Sequence, residues 1–319
     1  MMINRAPLSI VAALAFWSGV VVADEFILPK DHDVIGAVGI VQSSYEDTLL
    51  DIGRRYSLGY EEMRRANPDV DMWLPGEGTD VKLPTRFVLP QAPRTGIVIN
   101  IAEYRMYYFT AQNDQSVVAT FPISIGRMDW GTPLGTSSIV KKVRDPAWYP
   151  PASIRAEWAA DGRVLEATVP PGPDNPLGEY AMRLSIPGYL IHGTNRPAGV
   201  GMRVTHGCIR MYPEDIEWLF PKIPIDTPVE IVNQPYKLGW SGDELLLEVH
   251  RPLEQGEMEE PTLTSITELY VWVTRDKPAL VDWELVREVF REQQGIPVVI
   301  GRASGDVVEI EIVSAATPR

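Results

Sequence analysis

Cysteine is the scarcest reactive residue in this 319-residue sequence, which contains a single one, Cys208. One thiol excludes a disulfide within the chain and any metal site built from several thiolates. Basic residues are also few, since 29 lysines and arginines face 43 acidic residues and give a net charge of −14. Phosphate backbones repel such a chain, so general nucleic-acid binding is not expected. At ~150 residues per domain, the length predicts two or three domains.

Long apolar runs are equally scarce, because only the stretch from Leu8 to Val22 is mostly apolar over its whole length. Arg5 precedes this stretch and Ala23 ends it, an arrangement that predicts a secretory signal peptide over residues 1–23. The run is shorter than the ~20 residues that a membrane span needs, although an uncleaved anchor is the alternative. We therefore expect a mature protein that lies outside the cytoplasm and does not span a membrane.

Residues 35–90 show the order strand, helix, helix, strand. A first helix is predicted after Thr48, and a second is predicted from Tyr60 to the turn at Asn67-Pro68. Short apolar stretches on either side predict the two strands. This unit resembles a LysM module, and the resemblance implies binding to peptidoglycan through its N-acetylglucosamine glycans. A small helical spacer is the alternative interpretation.

Residues 94–233 have the alternating pattern of strands, with one or two helices, and predict a mainly β domain. Within it, the stretch from Pro146 to Pro176 contains seven prolines, which predicts a long loop without regular structure. Such a loop is often a lid or a groove wall, and a solvated linker is the alternative.

The last part of the chain, residues 254–319, predicts a small acidic α/β extension that holds half of the net negative charge. An acidic hinge is predicted at its start. The remaining elements are predicted as a strand over Glu268–Val273, a helix over Pro278–Gln294 and strands over Pro297–Ile300 and Val307–Val313. Nothing in this extension indicates catalysis, and docking or support of the fold is the expected role.

A free thiol outside the cytoplasm can oxidise or pair with another chain, so Cys208 must be buried, partnered or reactive. Its neighbours favour reactivity, because His206 lies two residues before it and His192 lies upstream. An imidazole can remove the thiol proton for attack on a carbonyl and then protonate the leaving group. Gly207 permits a turn that directs N–H groups at an oxyanion. Arg210 can bind a carboxylate or, alternatively, raise the local potential and favour the thiolate.

Spacing does not decide which histidine acts as the base. His206 and Cys208 would point to the same side of an extended segment, whereas folding could bring His192 across from the end of an apolar strand. Two histidines and one thiolate without a nearby carboxylate form a poor ligand set, so no metal and no cofactor are expected. Structural roles for the individual histidines are the remaining alternative.

His192, a spacer and the segment Thr205-His206-Gly207-Cys208 resemble the signature of the YkuD-type L,D-transpeptidase family, in its periplasmic Gram-negative branch. The resemblance implies a β-sandwich catalytic domain, with Cys208 as the nucleophile and His192 as the general base and acid. It implies that the Gly193 carbonyl orients the ring of His192. It further implies that N–H groups of His206, Gly207 and Cys208 form the oxyanion hole, and that Thr205 and Arg210 shape the site.

The same resemblance implies an acyl transfer on peptidoglycan stem peptides in the periplasm. Cys208 would form a thioester with the stem peptide and pass the acyl group to an amine. The acceptor would be another stem peptide, giving a 3–3 cross-link, or a lysine of an outer-membrane lipoprotein. Alternatives are hydrolysis of the same thioester, as in an L,D-carboxypeptidase or amidase, and a protein that chiefly binds the wall through its LysM-like module.

Overall fold

The computed structural model describes residues 25–253 and 263–304. The predicted signal peptide, the acidic hinge and the strand over 307–313 lie outside these residues. The N-terminal region contains, in chain order, β1 (Glu25–Ile27), β2 (Val34–Gly36), β3 (Gly39–Gln42), α1 (Leu49–Arg55), α2 (Tyr60–Ala66), β4 (Asp80–Leu83) and β5 (Arg86–Val88). No helix among the described residues is long and apolar enough to cross a membrane.

The two short helices of this region begin where their sequences predict. The Thr48 side chain accepts a hydrogen bond from the backbone N–H of Asp51, and the Asp51 carboxylate accepts one from the backbone N–H of Thr48. This capping box fixes the start of α1 and directs Leu49 and Ile52 into the interior. Strands β3 and β4 pair antiparallel around the two helices. The expected order of strand, helix, helix and strand is therefore present.

A strand-rich unit follows and holds most of the described chain. Its strands and helices are β6 (Gly96–Asn100), β7 (Arg105–Gln112), β8 (Gln115–Gly126), β9 (Gly135–Arg144), α3 (Ala152–Ala160), β10 (Tyr180–Leu184), β11 (Leu190–His192), β12 (Arg203–Thr205), β13 (Ile209–Met211), α4 (Pro213–Leu219) and β14 (Pro228–Val232). The prediction of a mainly β fold with few helices is confirmed.

The sheets of this unit close on themselves rather than forming an open sandwich. Hydrogen bonds run through β8, β13, β11, β10, β9, β14, β6 and β7 and return from β7 to β8. The two longest strands make this closure possible, because each pairs with one neighbour along its first part and another along its second. Strand β8 pairs with β7 and then β13, and β9 pairs with β14 and then β10. The two layers expected of a β-sandwich are thus joined through β8 and β9.

Strand β6 is buried on both of its faces, and this position fixes the N-terminal region against the β unit. Ile97 and Ile99 point into the main core, while Val98 belongs to a second core together with Leu49 and Ile52 of α1. Alternation along the strand produces this division. The N-terminal region therefore packs directly on the outer face of the β unit.

The C-terminal region contains β15 (Tyr236–Ser241), β16 (Glu244–Val249), α5 (Leu263–Val273), β17 (Ala279–Val281), α6 (Trp283–Glu292) and β18 (Val298–Ala303). Its sheet has the order β15-β16-β18-β17. The α/β unit therefore begins before residue 254, because β16 pairs with β18.

Two expectations for the C-terminal region are corrected by the structure. The predicted strand over Glu268–Val273 is part of helix α5, because its inward residues follow helical spacing: Ile266, Leu269, Tyr270 and Val273. The predicted helix over Pro278–Gln294 begins only after Asp282, whose carboxylate caps α6. The residues before this cap form strand β17 at the edge of the sheet.

The proline-rich stretch is also more regular than predicted. Its prolines lie at its two ends, and the residues between Pro151 and Pro170 contain none. Helix α3 forms in this interval and directs Ile154 into the interior. The prediction of a stretch without regular structure is wrong, because proline opposes a helix only where it interrupts one.

Candidate active site

The sheet brings the predicted catalytic residues together on two neighbouring strands. Strands β11 and β13 run parallel, with His192 opposite Arg210 and Ile191 opposite Ile209. Ile191 and Ile209 are fully buried in the core. Because side chains alternate along a strand, His192 and Arg210 lie on the opposite face, and Cys208 directly precedes Ile209. The site therefore stands on a rigid element rather than on a loose loop.

His192 is held in one protonation state and one tautomer. Its side chain is buried, and Nδ1 lies 2.6 Å from the carbonyl oxygen of Gly193. A carbonyl only accepts, so Nδ1 carries the proton and Nε2 keeps its lone pair. Burial, reinforced by the charge of Arg210, lowers the pKa of His192 to about 3. The imidazole is thus neutral and able to accept a proton at neutral pH.

Cys208 is partly exposed and directly precedes β13. Burial raises the pKa of the Cys208 thiol, and the Leu190 backbone and the charge of Arg210 only partly oppose this effect. The Sγ atom lies 3.8 Å from the carbonyl oxygen of Gly188. The pKa directions of the two groups therefore favour a neutral thiol and a neutral imidazole over a thiolate–imidazolium pair.

Gly207 and Thr205 set the shape of the turn before Cys208. Gly207 has φ +99°, and a Cβ atom there would lie 2.7 Å from the Tyr189 ring. Thr205 Oγ1 donates to the carbonyl of Cys208 at 2.6 Å and accepts from the N–H of Gly207 at 3.2 Å. Since this N–H is already engaged, the geometry does not support the predicted oxyanion contact from Gly207.

The side chain of His206 faces a different set of partners. Its Nε2 lies 2.9 Å from a carboxylate oxygen of Glu157 and 3.3 Å from Arg127, and its ring packs edge-on against Trp130. Arg127 also pairs with Glu157. The expected alternation of His206 and Cys208 does not apply, because the left-handed backbone at Gly207 interrupts the extended segment.

Sequence reasoning missed Glu157, Arg127 and Trp130. Glu157 lies on α3, inside the stretch for which no regular structure was predicted. The proline-free interval after Pro151 is the signal that could have revealed this helix. Helix α3 thereby forms one wall beside the turn that carries Cys208.

Arg210 is the positive group closest to the chemistry of His192 and Cys208. Burial and the neighbouring charge of Arg196 lower the pKa of Arg210, and its Nε atom has no hydrogen-bond partner among the described residues. A guanidinium binds a carboxylate through two parallel hydrogen bonds. Arg210 can therefore receive a negatively charged group of a ligand.

A cysteine next to a strand and a neutral histidine on the neighbouring strand are the side chains that a cysteine-dependent acyl-transfer domain uses. Residues 94–231 match the model of the YkuD family, described as the L,D-transpeptidase catalytic domain. The chain is 40% identical over 256 residues to the protein named "Probable L,D-transpeptidase YcfS" of Escherichia coli, covering 79% of each chain.

Two further relatives match this chain over similar lengths. The protein named "Probable L,D-transpeptidase ErfK/SrfK" of Salmonella typhimurium is 40% identical over 250 residues, covering 77% of this chain and 80% of that protein. The protein named "Probable L,D-transpeptidase YbiS" of Escherichia coli is 39% identical over 249 residues, covering 76% and 80%. The chain belongs to the L,D-transpeptidase family and is an enzyme.

Proposed function

We propose that the chain catalyses L,D-transpeptidation of peptidoglycan stem peptides through a thioester on Cys208. The Sγ atom attacks the carbonyl carbon of the third residue, a diamino acid, and His192 takes the thiol proton. His192 then gives this proton to the nitrogen of the departing D-alanine. An amine then attacks the thioester carbonyl, the bond between carbon and Sγ breaks, and the proton of the amine passes through His192 to the Cys208 sulfur. The proposal is carried by the neutral, buried His192, on the strand that pairs with the residues directly after Cys208.

The proton moves together with the attack in this mechanism. Burial disfavours both the thiolate of Cys208 and the imidazolium of His192, so a stable ion pair does not form beforehand. The developing oxyanion is stabilised by the N–H groups of His206 and Cys208, since that of Gly207 binds Thr205. Arg210 binds a carboxylate of the stem peptide.

Cys208→Ala tests the covalent step. Purified protein is incubated with a tetrapeptide muropeptide, and the products and the intact protein are analysed by mass spectrometry. The wild type should release D-alanine and carry an acyl group, and the alanine variant should do neither. Release of D-alanine by a folded Cys208→Ala protein would exclude the mechanism.

A matched pair of histidine variants tests the identity of the base. His192→Gln should lose about 10²–10⁴-fold in kcat because the proton acceptor is removed. His206→Gln should lose far less, because its ring binds Glu157 and Arg127. Equal losses in the two variants would contradict the assignment.

The acceptor is proposed to be an amine of peptidoglycan or of an outer-membrane lipoprotein in the periplasm. The same mass measurement separates the outcomes, because a cross-linked dimer, a lipoprotein adduct and a free tripeptide differ in mass. A free tripeptide as the sole product would favour the carboxypeptidase alternative, in which water resolves the thioester.

We also propose that the N-terminal region binds glycan strands, as a LysM-like module would. Tyr45 and Trp73 are 82% and 60% exposed, on the loops before α1 and after α2. Backbone hydrogen bonds join these loops, from Leu49 N–H to the carbonyl of Met72 and from Gly78 N–H to that of Ser43. Exposed aromatic rings on adjoining loops offer flat apolar surfaces on which sugar rings can stack.

Co-sedimentation with insoluble peptidoglycan tests this second proposal. Trp73→Ala should reduce the bound fraction, whereas Trp272→Ala, which removes a similarly exposed tryptophan from α5, should not. If the two variants sediment alike, the module does not bind glycan through this surface.

A further inference from the structure

Outside the catalytic site, the structure contains a groove of about 190 Å³ lined by arginines. It lies where three parts of the chain meet: helix α2, the strand β12 and the segment after β16. The groove is lined by Glu61, Arg64, Arg65, Tyr104, Arg203, Arg251, Pro252 and Leu253. We call this surface the arginine groove.

The arginine groove concentrates positive charge in a strongly acidic chain. Among the described residues that line the groove, Glu61 supplies the one carboxylate beside Arg64, Arg65 and Arg251. Arg64 Nη2 and Arg65 Nε lie 2.7 and 3.3 Å from the same oxygen of Glu61. Arg251 is exposed and has no ion pair with any residue that the structure describes. The groove therefore holds more positive charge than its own carboxylate compensates.

Part of the groove is preorganised for an anion. The guanidinium of Arg65 lies over the ring of Tyr104, 5.5 Å from its centre, and Tyr104 is buried. The Nε atom of Arg65 has no hydrogen-bond partner with suitable geometry among the described residues. A guanidinium held in place loses little entropy when it binds a carboxylate through its planar fork.

The groove adjoins the segment that leads to Cys208. The N–H groups of Tyr60 and Glu61, at the start of α2, donate to the carbonyls of Val200 and Gly201. Arg203 follows two residues after Gly201 and lies on β12, which runs towards the catalytic turn. A ligand in the groove would therefore contact the same segment that positions the nucleophile.

We propose that the arginine groove binds the free carboxylates of a peptide, namely those of a peptidoglycan stem outside the reacting one. This inference rests on the proposed function for the identity of the peptide. Guanidinium groups bind carboxylate and phosphate by the same planar geometry, so the experiment must separate these two ligands.

Binding is measured by calorimetry on the full mature chain carrying Cys208→Ala, which prevents turnover. The probe is the dipeptide L-alanyl-D-glutamate, which has two carboxylates and lacks the diamino acid that Cys208 attacks. The test variant adds Arg64→Gln and Arg251→Gln, both at exposed positions. The control adds Arg275→Gln and Arg302→Gln, which remove the same charge from exposed arginines of the C-terminal region.

The dissociation constant should rise by about tenfold in the test variant, because two charge-assisted contacts are lost. The control should bind as the parent does, and the diamide of the dipeptide should bind weakly to all proteins. Equal weakening in test and control, or tighter binding of inorganic phosphate than of the dipeptide, would overturn the proposal. Failure of the proposed function would instead appear as absent D-alanine release by the wild type.

Discussion

Two regions of the molecule contain a buried histidine among charged groups, and they differ in whether those charges are paired with each other. The junction cluster, formed by Glu103, Tyr107, Lys237, Glu248 and His250, joins the three parts of the chain. The active-site region surrounds His192. Burial lowers the pKa of both His250 and His192 to about 3.

The junction cluster compensates its charges internally. The Lys237 ammonium lies 2.5 Å from Glu103 and 2.8 Å from Glu248, and it donates to the carbonyl of Val88. Glu248 accepts from the N–H of Val88, and His250 bonds to Glu248. The groups Glu103, Glu248 and His250 have the composition of a metal site, but the ammonium of Lys237 stands between the two carboxylates.

In the active-site region, the Nε atom of Arg210 has no hydrogen-bond partner among the residues that the structure describes. At the junction, the carboxylate of Glu103 opposes the effect of burial on the pKa of His250. At the active site, Arg210 adds to the effect of burial on His192. The comparison indicates that the paired charges at the junction stabilise the fold, whereas the charge of Arg210 reinforces the effect of burial in keeping His192 neutral.

The largest expected effect follows from breaking the junction cluster. Lys237→Met keeps the size of the side chain but leaves two buried carboxylates without their cation. We expect the free energy of unfolding to fall by about 3–5 kcal/mol. Denaturant titration measures this loss.

Lys277→Met is the matched control, because Lys277 pairs with Asp243 at the surface. An exposed pair contributes about 0–1 kcal/mol, so this variant should unfold almost as the wild type does. A Lys237→Met protein as stable as the control would show that the junction cluster does not stabilise the fold.

The next largest effect is expected on the pH dependence of activity when the charge of Arg210 is removed. Arg210→Gln removes the charge that helps to lower the pKa of His192, so this pKa rises. A protonated imidazole cannot accept the thiol proton, so activity is lost below the pKa. The acid limb of kcat/KM should therefore move to higher pH by about one unit.

The pH–rate profile of Arg155→Gln gives the control for this shift, because Arg155 is exposed on α3. Its acid limb should coincide with that of the wild type. If the limb of Arg210→Gln also stays in place, Arg210 does not set the protonation state of His192.

The sequence predicts Cys208 and His192 as a catalytic pair but does not predict the residues around them. Cys208 and His192 are predictable, because a single thiol and a histidine at the end of an apolar strand carry the motif themselves. Glu157 is not, because it meets His206 from a distant helix with no signal of its own for the contact. The Lys237 pairs are hidden in the same way, since their partners lie in three separate parts of the chain.

The prediction of secondary structure from the sequence also fails where distant contacts decide the outcome. Helix α1 was predictable because Thr48 and the apolar spacing act locally. Helix α5 was assigned as a strand in its second half, where residues of high β propensity are concentrated, such as Tyr270, Val271 and Val273. Contacts with the C-terminal sheet override that preference, because the apolar residues also fit one helical face.

The smallest expected effect comes from removing the charge of Glu157. Its contacts with Arg127 and His206 form an exposed charged cluster, in contrast to the buried junction cluster. Both side chains of the Arg127–Glu157 pair are about one-third exposed, at 38% and 33%, so water and salt weaken their attraction. Glu157→Gln should leave the midpoint of denaturant unfolding unchanged. It should raise KM for the tetrapeptide by about twofold, because α3 is held less firmly beside the catalytic turn.

The salt dependence of KM shows whether this variant acts through its lost charge or through a changed side-chain shape. Adding salt to the wild type should reproduce the rise in KM, and it should have little further effect on Glu157→Gln, whose charge is already gone. Asp161→Asn is the matched control, since it removes a carboxylate that pairs with Arg163 at the end of the same helix. A loss of stability as large as that of Lys237→Met would contradict the comparison, because an exposed cluster would then support the fold as strongly as the buried one.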